Sequence, residues 1–385
     1  MKKIEKISLI IIILVAFTLR IYAVNKVEYK MEWDTLNYHN MAKNFLENGF
    51  LGYGIGEIAK EPNAYITPGY PLFLSSIYGI TDNGGEYGVF AVKIVQALLG
   101  TFTVMLIFLI AKKVGGFIAG IISAVFAVVY PSFLVVTAYH LTETLYNFVF
   151  CLYLYLQLIS FEKNNKYMHL FTGFIFGIVV MVRPTIFPLF FVIYLIELLW
   201  NRKREYVKYF IYFTIGLLII MIPWWIRNYL ITDRFILLCT QAGNPLIGGA
   251  YPPGFSGDMH VGGNQLKEGI KIIINGFINH PYEYIKWFTI GKLKLIFGGV
   301  YLSGFLPQLK IFCIVHYISL VLGIIGVIFS ILKNNVRILS EYVIMLTVLQ
   351  LAFIPELRYA FPIMSVLMIL SGYAISRLKL VRIKQ

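Results

Sequence analysis

Residues 1–24, MKKIEKISLIIIILVAFTLRIYAV, place three lysines before a long apolar run. A basic segment before an apolar run is also typical of a secretory signal peptide, but no small-residue cleavage site follows this one. The run continues to about Val24, which is long enough for a helix to cross the roughly 30 Å hydrocarbon core of a bilayer. The segment therefore predicts a transmembrane helix that the protein retains.

The composition of the whole chain agrees with this beginning. Of the 385 residues, 59% are hydrophobic and only 14% are charged, whereas soluble proteins have roughly 25% charged residues. So few polar side chains exclude a soluble enzyme, and disordered chains have the opposite composition. The formal charge of +14 fits basic cytoplasmic loops that face anionic lipids, so it does not indicate binding to nucleic acid. The three cysteines lie far apart and predict neither a disulfide framework nor a metal site.

Long apolar stretches recur along the chain and are separated by two longer, more polar intervals, 25–88 and 227–310. We predict an all-α polytopic membrane protein of about ten transmembrane helices. It forms one integral membrane domain over 1–385, with surface helices in the two intervals and no soluble C-terminal domain. The predicted helices cover 7–24, 89–111, 117–138, 143–161, 168–183, 185–200, 207–226, 311–332, 340–355 and 359–376.

The charges of the short connections predict how these helices are oriented in a cell membrane. If the N-terminus is cytoplasmic, most basic residues of short loops fall on one side, as the positive-inside rule requires. An even number of helices then puts both termini in the cytoplasm. Both long intervals, and with them any active site, lie on the extracytoplasmic face. The stretch 284–306 carries Lys286, Lys292 and Lys294 at helical spacing beside aromatic residues, which predicts a helix on the membrane surface.

The first candidate site is the pair of acids in Glu32-Trp33-Asp34, just beyond the first helix. The residues that follow, 35–49, have apolar positions at helical spacing and end in Gly49, which predicts a helix on the membrane surface. Two carboxylates this close together could deprotonate a hydroxyl group or hold a divalent metal ion. They could equally be hydrated acids before a helix N-terminus, where negative charge is favourable.

A second group of candidates consists of charges and tyrosines near the outer ends of predicted helices. The segment YITPGYP (65–71) can turn back towards the membrane, with Tyr65 and Tyr70 as interfacial anchors. A single charge at such a position could extend to water, but an acid together with several arginines indicates an anion site, because guanidinium groups bind phosphate well. The charges are Arg20, Glu143, Arg183, Arg227 and Arg358, the last followed by Tyr359.

The order of these segments resembles glycosyltransferase family 39, whose bacterial members are protein mannosyltransferase-like and aminoarabinose transferase-like enzymes of the GT-C fold. The resemblance covers nearly the whole chain. It departs from the family in two features: Trp33 separates two acids that many members have adjacent, and no soluble C-terminal domain follows. The shared order is an acidic pair, TPGYP, TE (142–143), RPT (183–185), PWWIRNY (223–229), GNPL (243–246), a lysine-bearing surface helix and a late Arg-Tyr pair.

The resemblance implies a sugar transferase that uses a polyprenyl-phosphate sugar as donor and inverts the anomeric centre in a cavity on the outer face. It implies that Asp34 is the catalytic acid of the first outer interval and Glu32 a supporting acid. Fixed positive charge would stabilise the leaving phosphate, so we expect no metal ion and no other cofactor. The residues expected to bind the substrate or its phosphate are Arg227, Arg358, Lys292 or Lys294, Arg183, Glu143, Tyr65, Tyr70 and Tyr359.

Two other functions stay open from the residues alone. A transporter or lipid flippase would carry charges or broken helices near the middle of the membrane, whereas the candidate charges here lie at outer helix ends. A surface-polysaccharide polymerase or ligase would also use a lipid-linked donor, but its large loop typically comes late in the chain. The expected partners are the polyprenyl-phosphate sugar donor, the lipid bilayer and an acceptor glycan, lipid or protein, and the sugar is left open.

Overall fold

The computed structural model describes residues 2–28, 30–255, 265–302 and 311–383, and helices are the regular elements in these ranges. Single turns of 3-10 or π-helix connect some of them. In chain order the α-helices are α1 (Lys3–Lys26), α2 (Trp33–Asn48), α3 (Gly69–Tyr78), α4 (Glu86–Val129), α5 (Pro131–Val135), α6 (Thr142–Lys163), α7 (Lys166–Val182), α8 (Leu189–Asn201), α9 (Glu205–Thr232), α10 (Gly243–Ala250), α11 (Gln265–Asn279), α12 (Pro281–Lys286), α13 (Lys292–Phe297), α14 (Ile311–Ser330), α15 (Asn334–Ala352) and α16 (Phe361–Ile383).

Seven of the described helices are long and apolar enough to cross a membrane. They include α1, α4, α6, α9 and α16, together with the segments Pro184–Asn201 and Cys313–Ser330. The apolar α7 is shorter, with 17 residues. All ten predicted stretches coincide with helices, because α4 covers two of them, and the prediction of an all-α, multi-pass membrane protein is confirmed.

The 44 residues of α4 form a hairpin of two helices, not one straight rod. Gly116 has a φ of +83°, a left-handed conformation that glycine adopts freely. The bend brings Gly120 back beside Phe108 and Lys112, because a Cβ on Gly120 would lie 3.1 Å from side-chain atoms of both. In a straight helix, the twelve residues from Phe108 to Gly120 would span about 18 Å. The second half ends before the predicted boundary at 138, because Pro131 forces the residue before it out of the helical conformation.

The centre of the bundle is α16, which packs between α4 and α14 and is almost entirely buried. On α14, Gly323 and Gly326 lie directly against Leu367 and Leu370 of α16. Small residues let membrane helices approach closely and gain van der Waals contact, which replaces the hydrophobic effect inside lipid. The start of α16, and with it the turn that carries Arg358, is thereby fixed to the rest of the bundle.

Ion pairs hold together the helix ends that lie opposite the first outer interval. They join the start of α1 to the bend of α4, that bend to the end of α6, and the end of α8 to the start of α15. Most of these charges belong to loops that the sequence assigns to the cytoplasmic side. The pairs are Glu5–Lys112, Lys113–Glu162 and Arg337–Glu197.

The two long intervals contain short helices close to the predicted positions. The α2 helix ends at Asn48, is capped by Gly49 with a φ of +76°, and confirms the helix predicted over 35–49. The α3 helix starts at Gly69, where a Cβ would lie 2.6 Å from the backbone of Met181 at the end of α7. In the second interval, α12, a π-helical turn and α13 follow one another over 281–297. The end of the predicted surface helix, 303–306, lies outside the described residues.

The crossing of α7 and α9 depends on a glycine from each helix. A Cβ added at Gly173 would lie 1.9 Å from the carbonyl oxygen of Phe213, and one at Gly216 would lie 1.9 Å from that of Leu170. Both distances are far below a normal van der Waals contact. The backbones of the two helices therefore touch at these positions, and a methyl group would separate them.

We expect Gly173→Ala to lower the free energy of unfolding by about 1–3 kcal/mol, the usual cost of overpacking. The measurement is the melting temperature of the purified protein in detergent. Gly248→Ala is the matched control, because its added Cβ would lie an ordinary 3.5 Å from the nearest atom, in Ile354. Equal melting temperatures for the two variants would contradict this packing.

Candidate active site

Asp34 lies in the first turn of α2, shortly after the chain leaves α1. The amide of Glu32 donates to Thr35 Oγ1 at 2.9 Å, and the same hydroxyl donates back to the Glu32 carbonyl at 2.7 Å. Between the two acids, Trp33 has a φ of +49° and is 85% exposed. A bulky residue seldom adopts this left-handed conformation. The cap fixes the start of the helix, and with it the position of Asp34, while Trp33 stays at the surface.

Asp34 is the first member of a chain of alternating charges. Its Oδ2 accepts a hydrogen bond from Arg358 Nη2 at 2.7 Å, and Arg358 Nε lies 3.8 Å from Glu143 Oε1. The same Glu143 oxygen accepts from Arg183 Nη2 at 2.5 Å, and Arg183 Nε donates to the Thr142 hydroxyl at 2.7 Å. The structure thus brings together four of the predicted site residues, from four separate segments of the chain.

The ring of Tyr359 lies beside both guanidinium groups of this chain. Its centroid is 5.0 Å from Arg183 Cζ and 5.4 Å from Arg358 Cζ. A cation near an aromatic face is attracted to the negative charge of the ring. The ring therefore helps to hold the two arginines in place, and each guanidinium has five N–H donors, of which the acids use only some.

Glu143 is only 1% exposed, so its charge depends on its partners. Burying a carboxylate costs several kcal/mol unless cations and hydrogen bonds offset the loss of water. Arg183 and Arg358 provide that compensation and keep 16% and 21% of their side-chain surfaces exposed. The two acids and two arginines together are neutral, and the arginines are oriented before any ligand binds.

Two cavities meet at the Asp34–Arg358 pair, and both residues line each cavity. The first, which we call the apolar cavity, has a volume of about 270 Å³. The second, the polar cavity, has a volume of about 510 Å³. The walls of the apolar cavity include Ile66, Val182, Pro184, Pro188, Leu349 and Phe353. Those of the polar cavity include Lys30, Glu32, Trp33, Tyr139, Tyr301 and Glu356.

The remaining predicted acid and the tyrosines lie in or near these cavities. Glu32 lines the polar cavity, whereas Tyr70 and Tyr359 line the apolar cavity. Tyr65 stacks on Tyr53 with ring centroids 5.2 Å apart, and burial raises the pKa of Tyr53 to about 12. Tyr65 therefore packs against Tyr53 within the first outer interval, and a role in substrate binding stays a prediction.

Arg227 is engaged elsewhere, in the first outer interval. Its Nη1 donates to the carbonyl of Asn63 at 2.7 Å and its Nη2 donates to that of Leu51 at 2.5 Å. It lines a separate apolar groove formed by α2, the loop that follows α2, α3, the end of α7 and α9. Arg227 thus contacts backbone carbonyls and lines a different cavity from Arg358, and its role in phosphate binding stays a prediction from the resemblance.

Neither Lys292 nor Lys294 is among the residues that line the two cavities at Asp34. Lys292 Nζ donates to the carbonyls of Leu351 at 2.6 Å and Phe353 at 3.1 Å, at a helix end where carbonyls lack partners within the helix. Burial lowers the pKa of Lys292 to about 7. Lys294 is exposed. These contacts stabilise the fold, and a role for either lysine in phosphate binding stays a prediction from the resemblance.

The sequence analysis missed several residues that line or support the cavities. Tyr38 lies four residues after Asp34 and lines the apolar cavity, and this i, i+4 spacing on a helix could have revealed it. Thr142 belongs to the TE pair but received no role, although it accepts a hydrogen bond from Arg183. Glu356, in the segment PELRY, lines the polar cavity.

The charge chain also bears on metal binding. The carboxylates of Asp34 and Glu143 are separated by Arg358, and each faces a guanidinium group. Over the ranges that the structure describes, no group of three or more His, Cys, Asp or Glu side chains could hold a metal ion. The expectation that the protein uses no metal stays a prediction.

The fold is that of the GT-C class of membrane glycosyltransferases. ArnT from Cupriavidus metallidurans, bound to undecaprenyl phosphate, matches with a TM-score of 0.60 at 12% identity, over 96% of this chain and 60% of that one. An oligosaccharyltransferase from Archaeoglobus fulgidus, tethered to an acceptor peptide, matches with a TM-score of 0.58 at 14% identity, over 100% of this chain and 51% of that one. AglB from the same organism, in complex with an inhibitory peptide and a dolichol-phosphate, matches with a TM-score of 0.55 at 13% identity, over 99% and 51%.

Within this class, residues 65–226 match the family model of the dolichyl-phosphate-mannose-protein mannosyltransferases. The match includes YITPGYP, Glu143 and Arg183 but neither Asp34 nor Arg358. No curated protein matches the sequence. The match and the fold confirm the resemblance to GT-C family 39 enzymes. The chain spans 60% of the ArnT chain and about half of the oligosaccharyltransferase chains.

We expect the buried Lys292 to make the protein more stable at alkaline pH. Its pKa is about 7 in the folded protein, against 10.5 for a free lysine. Between these values only the unfolded chain holds the proton, so stability rises with pH. Lys292→Met should remove this contribution, of the order of 1–3 kcal/mol between about pH 7 and pH 9.

Melting temperatures at the two pH values measure this effect. Lys294→Met is the control, because Lys294 is an exposed lysine on the same helix. A pH dependence that is the same in Lys292→Met and in the original protein would show that Lys292 is charged in the folded state.

Proposed function

We propose that this protein is a membrane glycosyltransferase that moves a sugar from a polyprenyl-phosphate donor to a hydroxyl group of an acceptor. One observation carries the proposal: the Asp34–Arg358 pair lines both the apolar and the polar cavity. A transferase must bring two substrates to one base. A carboxylate in the wall shared by two cavities can contact both substrates.

The apolar cavity suits the lipid donor. Its proline, leucine and phenylalanine side chains can pack against a prenyl chain, and both Arg183 and Arg358 line it. Guanidinium groups bind phosphate oxygens through paired N–H donors, so the donor phosphate would lie against these arginines. The undecaprenyl phosphate bound to ArnT and the dolichol-phosphate bound to AglB support a lipid phosphate as the ligand.

Asp34 acts as the catalytic base. The acceptor hydroxyl gives its proton to the Asp34 carboxylate while its oxygen attacks the anomeric carbon of the donor sugar. The bond between that carbon and the phosphate oxygen breaks, and polyprenyl phosphate leaves with the electron pair. Attack opposite the phosphate inverts the anomeric centre. Arg358 and Arg183 stabilise the charge that grows on the leaving phosphate.

The polar cavity receives the acceptor. Glu32 lines it next to Asp34 and serves as a supporting acid, while Trp33, Tyr139 and Tyr301 offer aromatic faces to sugar or peptide groups. A glycan, a lipid headgroup and a protein side chain all carry suitable hydroxyl groups. The acceptor is therefore defined by its hydroxyl and by its access to the outer face of the membrane.

Both termini lie in the cytoplasm in this proposal, and the site opens on the extracytoplasmic face of the cell membrane. The ion pairs of Lys112, Lys113 and Arg337 lie at the helix ends opposite Asp34. Basic residues of short loops are retained on the cytoplasmic side during insertion. The charge distribution therefore supports this orientation.

We expect Asp34→Asn to lower sugar transfer by about two to four orders of magnitude, because the amide keeps the size of the carboxylate but cannot accept a proton. The measurement is the transfer rate from a polyprenyl-phosphate sugar in proteoliposomes. Binding of undecaprenyl phosphate should persist, since Arg183 keeps its contact with Glu143.

Two acids provide controls for this experiment. Glu57→Gln, at an exposed position of the same outer interval, should transfer sugar at the original rate. Glu32→Gln should cause a milder loss than Asp34→Asn. Transfer by Asp34→Asn at close to the original rate would refute the assignment of the base.

The orientation can be tested by labelling single cysteines introduced into a cysteine-free variant in intact cells. A membrane-impermeant thiol reagent should label a cysteine at Asn48 in intact cells, and one at Lys333 only after permeabilisation; both positions are exposed. A cysteine at Lys163, also exposed, should behave as the one at Lys333 does. Labelling of the cysteine at Lys163 or at Lys333 in intact cells would overturn the orientation.

A further inference from the structure

Arg20 is a fully buried arginine inside α1 that no carboxylate contacts among the described residues. Its Nη1 donates to the carbonyl of Ala16 at 3.0 Å, one turn back in its own helix. Its Nε has no hydrogen-bond partner in the described protein. A cation in this setting is costly, which calls for a compensating group nearby.

A small cavity connects Arg20 to the charge chain. Its volume of about 10 Å³ is close to the minimum that one water molecule requires. Arg20 of α1, Gly100 of α4, and Glu143 and Thr144 of α6 all line it. A Cβ on Gly100 would lie 2.6 Å from Arg20 Nε, so the glycine makes room for the guanidinium group.

Two acceptor groups at this cavity are short of hydrogen bonds. Thr144 Oγ1 is buried without a partner in the described protein. Glu143 uses Oε1 for both arginines, whereas its Oε2 has a contact with the Thr142 hydroxyl at a long 3.4 Å. A water molecule needs two to four polar neighbours, and Arg20 Nε, Thr144 Oγ1 and the Glu143 carboxylate can supply them.

We propose that Arg20 is a positioning residue for the phosphate site, acting on Glu143 through one water molecule held in this cavity. The water accepts a hydrogen bond from Arg20 Nε and donates one to Glu143 Oε2. Thr144 contributes the third contact. Glu143 is then held from the side that faces away from Arg183 and Arg358, so that its Oε1 stays directed at both.

Arg20 also changes the charge of the site. Asp34, Glu143, Arg183 and Arg358 sum to zero, and the buried Arg20 makes the group of five positive by one unit. Inside a bilayer this charge is screened little by salt and acts over a longer distance than it would in water. Arg20 therefore favours an anion at Arg183 and Arg358 without touching it, an inference that rests on the proposed phosphate site.

The first test is a high-resolution structure of the full-length protein in nanodiscs. We expect density for one water molecule within hydrogen-bond distance of Arg20 and Glu143, and its loss in Thr144→Val. Direct contact of Arg20 with Glu143, or the absence of density at the cavity, would overturn the water link. This result does not depend on whether the protein transfers sugar.

The second test measures binding of undecaprenyl phosphate to the same preparation. Arg20→Met should weaken binding about tenfold through the loss of one nearby charge, and Arg20→Lys should restore most of the affinity. Thr144→Val should weaken binding about fivefold, as expected for one hydrogen bond, at an unchanged melting temperature. The matched control is Thr101→Val, because Thr101 is buried but bonds only to Ala97 in its own helix.

The possible outcomes separate the two proposals. Equal affinities for Arg20→Met, Arg20→Lys and the original protein would refute the role of Arg20. Equal losses in Thr144→Val and Thr101→Val would do the same. If the original protein does not bind undecaprenyl phosphate, the proposed donor fails, and the water density decides the link between Arg20 and Glu143 by itself.

Discussion

The site depends on the burial of Glu143, because a carboxylate with 1% exposure requires cations beside it. At the start of α6, one carboxylate oxygen of Glu143 lies within ion-pair distance of both Arg183 and Arg358. Arg183 directly follows α7, and Arg358 lies in the turn before α16, so this contact joins three parts of the bundle. Asp34 binds the other side of Arg358 and adds α2 to the arrangement. Two guanidinium groups are therefore fixed in place by the fold, and such groups need no reorganisation when a negative charge develops next to them.

The helices could be predicted largely from hydropathy, because a chain in lipid must satisfy its own backbone and does so over long apolar segments. The boundaries were less accurate wherever a proline intervened. Pro131 ends the second half of α4 well before the expected residue 138, whereas Pro223 lies inside α9, which continues beyond the expected residue 226 to Thr232. One proline thus stops a helix, whereas the other is tolerated inside one. The outcome depends on which hydrogen-bond partners the neighbouring backbone groups find, and a single sequence does not contain that information.

The chemical types at the candidate site were also predictable, since charges at helix ends of a membrane protein stand out against apolar surroundings. The groups that these charges contact could not be predicted. Arg183 and Arg227 both lie at the outer ends of predicted helices. Arg183 meets a buried acid, whereas Arg227 meets carbonyl groups of a loop. Lys292 satisfies carbonyl groups in the same way. A cationic side chain can bind backbone carbonyl groups or an anionic ligand. The path of the loops decides which of these groups lies within its reach.

Because of the bend at Gly116, a change in the number of residues there would change how α4 packs against the rest of the bundle. Each residue turns a helix by about 100°, and here the two halves of the hairpin are joined by a single left-handed glycine, with no loop to absorb a change in length. One extra residue beside Gly116 would rotate Ala119 and Ser123 away from Gly372 of α16, against which both pack. The turn that carries Arg358 leads directly into α16, so an insertion at the end of the bundle farthest from the two cavities would misalign the wall between them.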